Sequence, residues 1–524
     1  MLEKGPRHRP GEFPADEVTN YTGGFWVPDP EDEPHVVVPA GGRRPVRSDL
    51  GWIAVCLGGG TVHMGAYLYR FHPDDFRLRS RFGPYAEIAD WPYSYDELEP
   101  YYTEAEWEIG IAGGAEPASA GIPRSRALPM PPLSSHPIAS LLDRACDELG
   151  LHPYPTPRGV NSRPYGGRPA CSYCQLCAGF GCRTGAKGSS QSTLIERAEV
   201  RGRCRIVTGT KVFEITVGAD GRATGCRYLD AEDREREARA RIVCVCCSAV
   251  ESARLLLMSK SARFPDGLAN GNGLVGRHLQ FHAISQGTAH FRVEEFDPAI
   301  WRHPHPFFGR SLLDYYFLPA GVSDLAKGGL IRFNLPQSHA IAWAQRLAEP
   351  DGAVLWGDDL VRRLDECFVA MRAVDFEVFH DYVPNAATRI ELDPEVVDRW
   401  GFPAARIHLG PDPHHARAGG WLQERGLAVL ERMGAHELVP GARGETAPYL
   451  VLGTCRAGRD PATSVLDPWC RAHEVPNLFV VDGSFMPTSG GAAPTLTILA
   501  NSFRTADHIV AEVRRGEWAA QPSR

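Results

Sequence analysis

"VPNLFVVDGSFMPTSGGAAPTLTI", residues 475–498, changes character twice along its length. The apolar run Leu478 to Val481 has the length and β-branched content of a short buried strand. It delivers Asp482 and Gly483 to its carboxyl end, which is where open α/β sheets receive ligands. After a loop of small residues, "APTLTI" opens a last helix that runs through "LANSFRTADHIVAEVRR". The unpaired amides at the start of such a helix favour negative charge. Strand, acid, glycine turn and helix in this order predict an α/β fold.

The same grammar recurs upstream. "RIVCVCC" (241–247) is a β-rich run, and "SAVESARLLLMSK" (248–260) reads as a helix packed back onto it. Two strands flank the turn "ADGR" at 219–222. "WPYSYDELEPYYTEAEWEIGI" predicts a helix with Leu98, Tyr102, Ala105 and Ile109 in one apolar stripe. "ASLLDRACDELGL" predicts another, ending at Gly150. Residues 4 to 50 are rich in Pro, Gly, Asp and Arg and read as an extended loop.

With 524 residues, 43% hydrophobic and 23% charged, the chain can bury two or three domain cores. The expected division is 1–114, 191–284 and 446–524 as three pieces of a nucleotide-binding domain, 115–190 as a lid with a cysteine cluster, and 285–445 as an inserted α+β substrate domain. The net charge of -8 argues against a nucleic-acid partner. Only five of the 56 basic residues are lysine, a skew that reads as coding bias and not as a basic binding surface. No apolar run reaches the roughly 20 residues of a membrane-spanning helix.

Four segments in order, "GGGTVHMG" (58–65), "ESARLLLMS" (251–259), "GLVGRHLQFH" (273–282) and "LGTCRAGRD…APTLTI" (452–498), resemble the glucose–methanol–choline (GMC) oxidoreductases. Within that family they resemble in particular the bacterial gluconate- and sugar-dehydrogenase branch. The resemblance implies FAD in a discontinuous Rossmann-like α/β domain and an alcohol or sugar as substrate. It places the cofactor against Gly58, Gly59, Gly60, Thr61, Val212, Asp482, Gly483, Pro494, Thr495 and Leu496. Glycines at 58–60 let the backbone approach a flavin or pyrophosphate closely.

"MLEKGPRHRP" gives Glu3 a place in that scheme. An acid at the end of the second strand of a dinucleotide fold bonds the adenosine ribose. The preceding strand, G-x-G-x-x-G turn and first helix are then expected to be missing, through a start placed too late or through supply by another chain. That turn normally holds the pyrophosphate on helix N-terminal amides.

Cys171, Cys174, Cys177 and Cys182 follow C-x2-C-x2-C-x4-C, whose short spacings converge sulfurs on one point. An iron–sulfur cluster (3Fe-4S or 4Fe-4S), a structural zinc, and disulfides or free thiols all satisfy the spacing. The family branch implies the cluster, with a small partner subunit and a cytochrome electron acceptor.

The family's proton acceptor is a histidine three residues before a Gly-Thr pair, and its partner is a His or Asn before "P-T-L-T-I". In this chain Leu450 and Ala493 hold those positions, and neither can accept a proton. His63 is the substitute nearest the glycine turn. The alternative is a degenerate, non-catalytic subunit that binds or assembles with another oxidoreductase chain.

Overall fold

The structure is a computed structural model describing residues 1–22, 25–39, 41, 43–301, 308–336, 340–348, 353–410 and 413–518. Among the described residues the longer helices are α1 Tyr95–Ile109, α2 Ile138–Glu148, α3 Ala249–Met258, α4 Ala340–Ala348, α5 Gly357–Asp365, α6 Pro413–Arg432 and α7 Thr495–Arg514. α1 starts at a capping box in which Ser94 and Glu97 satisfy each other's amides, and stops at Gly110 with φ 80°. Its predicted stripe Leu98, Tyr102, Ala105 and Ile109 is buried. It packs on α7, where Tyr102 Oη lies 2.7 Å from Thr497 Oγ1 and Tyr93 donates to Asn501 Oδ1 at 3.0 Å.

The nucleotide-side sheets are small. β7 (Val243–Val245) and β15 (Leu478–Val480) pair in parallel, and Leu2 forms a parallel bridge to Val207. β4 (Lys211–Val217), β5 (Ala223–Leu229) and β6 (Glu235–Arg239) form an antiparallel meander around the predicted "ADGR" turn. α3 follows β7 directly and lies against β4.

Residues 4 to 50 are more ordered than their composition predicts. β1 (His35–Val38) runs parallel to β13 (Pro403–His408) and antiparallel to β2 (Val46–Ser48), with β12 (Arg389–Val397) at the far edge. The correction has a simple cause, since the strand that pairs with "HVVV" lies some 370 residues later and local pattern cannot announce it.

The largest sheet is antiparallel, in the order β14 (Glu437–Thr454), β8 (Arg277–Arg292), β11 (Met371–His380), β10 (Gly329–Asn334), β9 (Gly309–Leu312) and β3 (Tyr154–Pro155). One face is apolar. Phe291, Phe333, Val374, Phe376 and Val378 form a buried cluster with Leu142 of α2 and Leu422 and Val429 of α6. The opposite face turns toward the segment that follows the glycine turn, because Tyr69 Oη lies 2.8 Å from Ser311 Oγ on β9.

Candidate flavin site and cysteine loop

The turn at 58–61 is a single 3-10 turn, Gly59–Thr61, entered by Gly58 at φ 93°. Each glycine answers a different demand. A Cβ on Gly58 would sit 2.9 Å from Gln191 Cβ and one on Gly60 2.6 Å from Ile53 Cγ2, whereas Gly59 has nothing within 4 Å. The turn is therefore packed from behind and open at its tip, which suits a ligand passing over Gly59. Thr61 donates to Gly58 O at 2.8 Å and Ser190 donates to the same oxygen at 3.0 Å.

Asp482 stands just past β15 and caps the next turn, accepting Ser484 N at 2.9 Å and the hydroxyl of Ser252. Burial raises its carboxyl above the ordinary range. A Cβ on Gly483 would meet Leu452 at 2.9 Å. Glu3 is half-buried; its amide donates to Val207 O, its carbonyl accepts from Thr210 N, and Oε1 accepts Gly5 N at 2.8 Å. Burial raises its carboxyl too. Val212 lies half-buried on β4 against the main core.

Cys244, Cys246 and Cys247 are reached by water, yet their thiols are held high. Cys247 is pushed up to about 12, mainly by desolvation, then by Asp482, Glu251 and Glu3. Cys247, just past β7, thus lies within electrostatic reach of both Glu3 and Asp482, and among the described strands β7 pairs with β15 alone. A dinucleotide with ribose hydroxyls and a backbone-bound diphosphate fits this donor set.

Pro494, Thr495 and Leu496 open α7 as expected, with Ala492 and Ala493 buried before it. The loop ahead of them rests on groups that sequence patterns did not single out. Lys327 Nζ lies 2.9 Å from Asp381 Oδ2 and 3.3 Å from Asp75 Oδ1, all buried. Tyr316 donates to Asp75 at 2.5 Å and accepts Gly491 N at 3.2 Å, and Ser489 Oγ accepts Tyr382 N at 2.8 Å. His282, the last residue of "GRHLQFH", is wholly buried beside the backbone of His380 and Ser489 and is held down to about 3 by that burial. Only its place in that motif could have pointed to it.

Leu450 packs against Ile284, Phe379 and Ala447. His63 belongs to a different neighbourhood, stacked on Trp26 at 4.9 Å. Burial and the Lys187 charge hold it down to about 4, and its Nε2 has no hydrogen-bond partner among the described residues.

The cysteine loop is built onto the glycine turn. Gly179 N donates to His63 O at 2.8 Å, and buried Lys187 Nζ donates to the carbonyls of Met64, Cys177 and Phe180. Tyr173 and Gln175 take positive φ (55° and 66°), which coils the chain between the first three cysteines. Cys177 is buried, Cys171 and Cys182 half-buried and Cys174 exposed. Among the described residues, no three His, Cys, Asp or Glu side chains already stand as a metal-ligand set. No helix among them is long and apolar enough to cross a membrane.

Parallel strands that end in an acid and a glycine turn, followed by helices, make this an α/β fold of the kind that binds dinucleotides. Family models for the N- and C-terminal parts of GMC oxidoreductases match residues 51–284 and 384–502. The chain belongs to the GMC oxidoreductase family, whose members are FAD-dependent enzymes. It is 33% identical to 6'''-hydroxyparomomycin C oxidase of Streptomyces lividus, over 88% of this chain and 80% of that one. It is 30% identical to 2-methyl-1,2-propanediol dehydrogenase of Mycolicibacterium austroafricanum (97% and 90% covered). With the fructose dehydrogenase large subunit of Gluconobacter japonicus it shares 27% (96% and 89%). Among solved structures, an R554K variant of Aspergillus oryzae formate oxidase superposes with a TM-score of 0.66 at 13% identity, covering 98% of this chain and 94% of that one.

Proposed function

We propose that this protein oxidises a CH–OH group of a polyol, sugar or related alcohol. Its electrons leave through an iron–sulfur cluster to an external acceptor, a cytochrome docked with the help of a small partner subunit. The observation that carries the reading is the cysteine loop hydrogen-bonded to His63, two residues past the turn that presents Gly59. FAD, when bound, accepts a hydride from the substrate carbon. Glu3 would hold the ribose, the Gly59 backbone and the α7 N-terminus the flavin end, and Asp482 the approach between them. Support also comes from the compounds in the relatives' names, 6'''-hydroxyparomomycin C, 2-methyl-1,2-propanediol and fructose.

Four cysteine side chains on one loop, with the Lys187 side chain beside Cys174, Cys177 and Cys182, suit an iron–sulfur cluster, which would supply one-electron transfer when bound. His63 takes the hydroxyl proton on Nε2. Its depressed basicity keeps it neutral near pH 7, so the lone pair is available.

The test is spectroscopic. Protein purified anaerobically with FAD should show a flavin band, bleached by polyols or aldoses, together with iron and acid-labile sulfide. A folded preparation that binds flavin and bleaches with no alcohol would instead favour the non-catalytic subunit, as the paired apolar residues Leu450 and Ala493 do.

A further inference from the structure

The second face of the six-stranded sheet is not built as a core. Counting outward from Ile284 and Phe379, which hold Leu450, the next residues on that face are Gln286 on β8 and Glu377 on β11, paired across the ladder. Arg332 on β10 lies opposite Glu377, and Asn334 lies opposite Asp375. The Arg332 guanidinium donates to Glu377, Gln286 donates to the same carboxylate at 3.4 Å, and Thr288 donates to Asp375 at 2.8 Å. The row is roofed by the chain that leaves the glycine turn. Tyr67 Oη lies 3.2 Å from the Asn334 side-chain amide, and the Arg332 guanidinium sits 3.3 Å from the Tyr67 ring centre.

An ordinary solvated sheet face does not account for this. The Arg332 and Glu377 side chains are 6% and 15% exposed, so both ions have lost much of their hydration. Such a pair costs several kcal/mol of desolvation per ion, and well-packed apolar residues are often at least as stable in its place. The polar row also stops abruptly at Phe379, one inward-facing position, roughly 7 Å along the strand, from the packing around Leu450.

We infer that the Arg332–Glu377 pair, with Gln286, is the specificity-determining contact of the site and selects a neutral, polyhydroxylated substrate. The inference rests on the alcohol-oxidation reading and assigns its substrate class. A hydroxyl offered to this pair donates to the carboxylate and accepts from the guanidinium at once, and the planar fork suits two adjacent hydroxyls. A simple alkanol has one hydroxyl, the one that reacts, and leaves the pair desolvated and unmatched. Sites built to bond a substrate hydroxyl reject analogues lacking it strongly. Neutrality follows from the charges in the row: Asp375 and Glu377 are offset by Arg332 and by Arg158, whose guanidinium lies 4.0 Å from the Tyr67 ring.

The experiment uses FAD-supplied protein with two readouts: ligand-observed NMR titration after dithionite reduction, and anaerobic flavin bleaching. The probes are sorbitol, glucosamine and 1-butanol. Expected are preferential binding of sorbitol and a 10- to 100-fold weakening in Glu377→Gln, with 1-butanol unchanged. The double variant Arg332→Met with Glu377→Leu should fold at least as well as the parent and lose the sorbitol preference. Preference for 1-butanol or glucosamine, or equal sorbitol binding in parent and variants, overturns the inference. Sorbitol binding that weakens as expected, without bleaching in the parent, supports the contact while the oxidation reading fails.

Discussion

In the proposed reading His63 takes over a task that the resemblance assigns to two residues. Leu450 and Ala493 offer no side-chain heteroatom, while the His63 ring has a depressed basicity and an Nε2 without a hydrogen-bond partner among the described residues. General-base catalysis is worth about 10²–10⁴-fold. His63→Gln should therefore lower the rate of flavin bleaching by polyols by roughly that factor while flavin absorbance is retained, as stopped-flow spectroscopy would show. Placing Leu450→His with Ala493→Asn in that background should restore the rate. A second residue-scale outcome concerns Lys327. Two buried carboxylates face it, and removing one partner of a buried charge cluster costs about 3–5 kcal/mol. Lys327→Met should lower the unfolding free energy obtained by urea titration by that amount, and an unfolding free energy within error of the parent would deny the cluster its role under the 489–493 loop.

At the scale of elements, the glycine turn separates packing from binding. Gly58→Ala forces a Cβ to 2.9 Å from both Gln191 and Val62 at φ 93°, so it should destabilise the fold. Gly59→Ala meets no atom within 4 Å, and its φ of 55° lies in the left-handed well, so the backbone strain is only about 1 kcal/mol. It should leave the melting temperature nearly unchanged and weaken FAD binding, measured by fluorescence quenching; unaltered flavin affinity would remove Gly59 from the cofactor path. The sequence announced these elements because their signals are local: a capping box, a turn between alternating runs, an apolar stripe on α1. β1 escaped notice because its partner lies far along the chain. The polar row of the large sheet was also illegible, since alternation marks a polar face without saying whether water or Tyr67 covers it. The Lys327 cluster draws on three distant segments, and no spacing foretells such a meeting.

For the whole molecule, burial of histidine sets the response to acid. His63 and His414 are held down to about 4, and His278, His282 and His415 to about 3, in each case chiefly by desolvation. His282, His414 and His415 lie around His380, where β11 meets the start of α6. In the unfolded chain each returns to about 6.5 and binds a proton more readily than in the native state. Stability from these groups is thus complete above about pH 6.5 and is lost as pH falls toward the folded values, by about 1.4 kcal/mol per histidine per unit. Between pH 7 and 5 the loss from five such rings is on the order of 10 kcal/mol, comparable with the whole stability of an ordinary domain. Urea midpoints taken at pH 7, 6 and 5 should fall steeply, and His415→Gln should flatten the slope. A midpoint constant from pH 7 to 5 would mean that these rings take up protons as readily in the native protein as in the unfolded chain, and that burial does not hold them down.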